Sequence, residues 1–140
     1  MLNHHTESPC TPTDYQPHQT TLEPKASKKI STSGGRPSNS HLPFFNLQWP
    51  GGGIIIAIGW PGQWSIRFDC NEESELRVQA GQERTHFLLH PGEEVRSPLI
   101  AVQFWETDRL RAHNTWRHLD ADTKSTSFIW PGCCSTNNSL

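Results

Sequence analysis

The chain carries no lysine between residues 41 and 118, and over all 140 residues it has one methionine, one tyrosine and four cysteines. The cysteines, Cys10, Cys70, Cys133 and Cys134, show no Cys-x-x-Cys or other zinc spacing. With only Cys70 inside residues 41–118, an intracore disulfide is excluded and reduced cytosolic thiols are expected. The adjacent Cys133 and Cys134 lie in a polar tail whose end is not a prenylation box. A long apolar run is missing too. The longest, Ile54–Ile58, is far short of a membrane span, and no apolar segment of signal-peptide type follows Met1. A cytoplasmic chain with no membrane partner is predicted.

Charge of one sign is equally scarce. The net charge is −2, and within residues 41–118 nine acidic residues face seven arginines with no basic stripe, so no nucleic-acid partner is expected. There is no Gly-x-Ser-x-Gly elbow, Walker loop or dinucleotide fingerprint. Gly51-Gly52-Gly53 precedes an apolar strand pattern rather than a helix and is no phosphate cradle, so no cofactor is predicted. His86 and His90 would lie ~13 Å apart along a strand. His113 and His118 miss the i, i+4 spacing of a helical pair, and His4 and His5 sit among residues with no ligand pattern. No metal site is predicted.

Residues 1–40 contain five prolines and only isolated apolar residues, too few to offset the entropy of ordering, and are expected to be a disordered arm. Residues 119–140 have no sustained period and are expected to be an irregular tail. Residues 41–118 form the candidate domain. Period-two alternation predicts strands over 42–49, 53–60, 64–69, 76–80, 84–90 and 99–105, and Asp108 is placed to cap a helix running to about Leu119 with Ala112, Trp116 and Leu119 on one face. Residues 53–60 are apolar on both faces and should be central. Pro61-Gly62 between two strands predicts a type II turn and a hairpin. The fold class is therefore all-β, a partial antiparallel β-sandwich with a C-terminal helix. Trp-Pro-Gly recurs at Trp49, Trp60 and Trp130 without a repeat period, as turn chemistry used more than once.

Leu42-Pro43-Phe44-Phe45-Asn46, followed by Ala57-Ile58-Gly59-Trp60-Pro61-Gly62-Gln63-Trp64, resembles the N-terminal sandwich of melibiase-type α-galactosidases, a clan D family of glycoside hydrolases. Residues 89–98, with Pro91, Gly92, Glu93, Arg96 and Pro98, resemble that family's Leu-x-Pro-Gly-Glu turn and the Ser/Thr-Pro after it. The segment 111–117, with Asn114 and Arg117, is similar to the helix leading from sandwich to barrel. The resemblance spans residues 42–118 and implies structural roles for Gly59, Pro61 and Gly62 as well.

The resemblance further implies a retaining hydrolase of terminal α-galactosides whose two catalytic aspartates lie on a (β/α)₈ barrel beyond this domain. Retention needs two carboxyl groups ~5–5.5 Å apart. No Lys-Trp-Asp nucleophile motif occurs, and Ser33-Gly34-Gly35-Arg36 is only superficially similar to the acid/base loop, with no aspartate after it. No catalytic residue is assigned, and the chain is expected to be inactive alone. Glu72, Glu73, Glu75, Glu93 and Glu94 fall in polar turns, where solvated roles are expected, with Glu94 and Arg96 as a structural pair across one of them. The expected partners are a separately encoded barrel, an α-galactoside stacked on Trp60 and Trp64, and other copies of the chain through exposed sheet edges. The alternative is a standalone carbohydrate-binding or protein-interaction module. For both tryptophans, packing in the core is the competing role.

Overall fold

The computed structural model describes residues 1–6 and 14–124, with only the backbone of 120–124. Eight strands and one helix follow in order: β1 (Leu2–Thr6), β2 (Pro17–Thr20), β3 (Ser27–Ser31), β4 (His41–Trp49), β5 (Gly52–Gly59), β6 (Trp64–Cys70), β7 (Leu76–Gln82), β8 (Leu99–Glu106) and α1 (Arg109–Lys124). They form two antiparallel sheets, a five-stranded one ordered β2-β1-β4-β5-β8 and a three-stranded one ordered β3-β6-β7. The all-β sandwich with a C-terminal helix is thus the observed architecture. Cys10, Cys133, Cys134, the third Trp-Pro-Gly and the tail from residue 125 lie outside the described residues.

The core between the sheets is built by the alternation read from the sequence. Phe45 and Leu47 of β4, Ile56 and Ile58 of β5, and Trp64, Ile66 and Phe68 of β6 are all buried and mutually packed. A second, smaller cluster lies on the opposite face of the larger sheet, where Ala112 and Trp116 of α1 cover Ile55 and Trp105. Asp108 caps α1, its Oδ1 accepting from Arg111 N at 3.0 Å. The helix continues past Leu119 to Lys124, so residues 119–124 are helical where an irregular tail was expected.

Residues 1–40 are not the unordered arm that composition implies. Their described part supplies β1, which pairs with β4, β2, which pairs with β1, and β3, which pairs with β6. Leu2 and Ile30 each fill one position of the inter-sheet core, and Leu22 packs against it. One apolar residue per strand is enough because main-chain bonding to strands already ordered supplies the rest. Conversely, residues 84–90 form no strand; they run as an exposed loop toward β8.

The predicted hairpin at Pro61-Gly62 is also replaced. β5 is flanked on both edges by β4 and β8, so β6 has no edge to pair with and the chain steps across to the other sheet. Gly62 is not among the positive-φ glycines, as a type II turn would require. The same tripeptide makes a tight reversal elsewhere: Pro50-Gly51 links the paired Trp49 and Gly52, with Gly51 at φ +88°. The type II pattern recurs at Pro91-Gly92, with Gly92 at φ +88° and Glu93 N donating to His90 O at 3.0 Å.

Gly53, on central β5, lies opposite Trp105, whose ring passes directly over it. A β-carbon there would collide with the Leu47 carbonyl and the indole together, neither of which can swing away. Gly53→Ala should destabilise the domain by about 3 kcal/mol. A urea midpoint unchanged from the parent would disprove that reading of the packing.

Candidate functional site

The outer face of the larger sheet is only partly covered by α1, and beside the helix lies an open cleft of about 450 Å³. Its floor follows the period-two register. Asn3 and His5 of β1 stand beside Pro17 and Gln19 of β2, with Phe44 and Asn46 of β4 and Ile55 of β5 completing it. Its wall is Arg109, His113 and Trp116, spaced i, i+4 and i+7 along one side of α1. Among the described residues no carboxylate lines it.

A buried relay fixes the chemistry of one wall residue. Trp105 Nε1 donates to Asn46 Oδ1 at 3.3 Å, and Asn46 Nδ2 lies 3.2 Å from His113 Nε2. An indole nitrogen only donates, so Asn46 must present its oxygen to Trp105 and its NH₂ to His113. His113 Nε2 is then the acceptor, which makes the ring neutral with its proton on Nδ1. Partial burial, then Arg109 and Arg117, lower the His113 pKa in agreement. Asn3 Nδ2 donates to Asn46 O at 3.3 Å and braces the same residue from β1.

A histidine cluster occupies the inter-sheet side of the same strands. His4 stacks on His18 at 5.2 Å between centroids and meets His41 edge-on at 5.6 Å. His4 is 5 % exposed, and the Nδ1 atoms of His4 and His41 are buried without a hydrogen-bond partner. Burial first, then His41, His18, Lys28 and His5, push the His4 pKa down to about 4. Burial, then His18 and Lys28, lower that of His41. Among the described residues no group of three or more His, Cys, Asp or Glu is placed to hold a metal ion. Neither this cluster nor the cleft is apparent from local sequence, because the participants come from separate strands and a helix.

Trp60 and Trp64 do not form a platform. Trp64 is fully buried, packed edge-on against Phe45 at 5.6 Å, with Nε1 donating to Pro37 O at 2.6 Å. A side chain wholly inside the core has no face left for a sugar. Trp60 is half-buried over Gly62 and packs against the core margin. Gly59 ends β5 opposite Leu99, Pro61 lies exposed on the connection to β6, and Pro98 leads into β8. Asn114 and Arg117 are exposed on α1, and Arg96 is exposed in the loop before β8.

The turn carboxylates hold local structure. Glu72 pairs with Lys25 at 2.8 Å, Glu75 Oε2 accepts from Asn71 Nδ2 at 3.0 Å, and Glu93 Oε2 accepts from His90 N at 2.9 Å. Glu83 accepts from Gln63 and bridges to Lys29 at 3.0 Å, bonds that lower its pKa. His86 and His90 are exposed in the loop, not on a strand.

One further surface stands out. The smaller sheet stops short of β8, so Ile100, Val102 and Phe104, in register with Ile58, Ile56 and Ile54, are 39 %, 48 % and 73 % exposed. Phe87, Leu89 and Val95 of the preceding loop border a hollow that reaches Ile100. Among the described residues no helix is long and apolar enough to cross a membrane. No protein-family model, curated protein or solved structure matches the chain.

Proposed function

We propose that this chain is a noncatalytic β-sandwich of the melibiase-type α-galactosidase kind, working in the cytoplasm as a docking body for a separate catalytic barrel. The parent activity would be hydrolysis of terminal α-galactosides. The observation that carries the reading is the exposed inner face of β8, where three side chains of core type continue the row of Ile54, Ile56 and Ile58 on β5 into solvent. Burying such a face contributes roughly 25 cal/mol per Å² of apolar area, which favours a partner. Among the described residues no strand pairs with the edge beyond it, so copies of the chain would compete for the same surface.

The test is light scattering of the chain mixed with the (β/α)₈ barrel of a melibiase-type α-galactosidase. A one-to-one complex lost on Phe104→Asp, with no aryl α-galactoside hydrolysis by the chain alone, is the expected result. Two separate peaks, or hydrolysis by the isolated chain, would reject it. The alternative is a standalone carbohydrate-binding or protein-interaction module, and with Trp64 buried its carbohydrate form needs a different surface from the tryptophan pair.

A further inference from the structure

We infer that the cleft between α1 and the outer face of β1, β2 and β4 binds a hydroxylated carboxylate of hexose size, a uronic acid. The argument is independent of the β8 face, which belongs to the opposite side of the sheet. About 450 Å³ falls within the range of small-ligand clefts. The charge balance sets the class. Arg109 and the imidazoles of His5 and His113 line the cleft, and among the described side chains no carboxylate joins them. Asp108, the residue before Arg109, is occupied by the cap and is not part of the lining.

A guanidinium presents paired donors in the geometry a carboxylate accepts. The Trp105–Asn46–His113 relay makes His113 Nδ1 a second, neutral donor on the same side of the helix. Trp116 supplies an apolar ring face against which a pyranose can lie, and Gln19 provides an amide for hydroxyls. A neutral sugar would leave Arg109 without an anion. An aliphatic acid would leave the amide without a hydroxyl. The uronate satisfies both.

The probe is galacturonate at pH 7, followed by saturation-transfer NMR and calorimetry on the full chain, with galactose as the neutral comparison. Saturable galacturonate binding, weakened about tenfold or more by Arg109→Gln and unaltered by Arg117→Gln, is expected. Both variants replace exposed arginines on α1, and an unchanged circular dichroism spectrum and melting midpoint establish that each still folds. Absence of galacturonate binding overturns the inference. So does binding that both variants leave intact, or equal binding of galactose, which would make the cleft a neutral-sugar site.

Discussion

Trp64→Ala is expected to cost about 3–5 kcal/mol from the lost packing alone, with about 1 kcal/mol more from the bond to Pro37. Trp64 is one of the largest fully buried side chains, wedged between the sheets against Phe45 while its indole N–H ties down the segment before β4. Trp60→Ala should cost less, about 1–2 kcal/mol, since that ring lies at the core margin and is only partly buried. Urea unfolding of the two variants side by side decides the matter. Equal midpoints would mean that Trp64 is not the wedge described.

Acid should unfold this domain well above the carboxylate range. His4 has a folded pKa of about 4 against an ordinary 6.5, so the unfolded chain binds the extra proton between those values. The stability is therefore fully present above pH 6.5 and is lost as the pH falls toward 4. The shift amounts to about 3 kcal/mol in all, of which about 2 kcal/mol is gone by pH 5. His41 adds in the same direction, and His18, Lys28 and His5, facing His4, deepen the effect. Replacing His4 by phenylalanine keeps a ring beside Phe45 and His18 but removes the proton site. Its stability should differ between pH 7.5 and 5 by about 2 kcal/mol less than the parent's. An identical pH dependence in the two proteins would show that His4 is solvated.

Much of the fold was legible where a strand carries several apolar residues at period two. β4 to β8 were found this way, and Asp108 marked the start of α1 because a side-chain acceptor ahead of a helical pattern has one obvious use. β1 and β3 each contribute a single buried hydrophobic residue, and a period cannot be read from one point. Trp-Pro-Gly was ambiguous for a different reason. Proline and glycine specify that the chain bends, while the availability of a free edge decides whether it folds back or crosses over, and that depends on β8, some forty residues downstream. The cleft was illegible because Asn3, Gln19, Asn46 and Arg109 are ordinary polar residues until pairing register brings them together.

The position of β8 also bears on how the chain comes off the ribosome. Its pairing partner β5 is complete once Gly59 has been made, yet the sheet gains its last strand only when Leu99–Glu106 emerges. During that interval the β5 edge, with Ile54, Ile55, Ile56 and Ile58 along it, is open to any other nascent strand. Contacts of such long sequence separation form slowly. Expression yield should therefore be limited by a race between translation through residue 106 and aggregation, so that chaperones acting on nascent chains, more than a stabilised folded state, would raise the amount of soluble product.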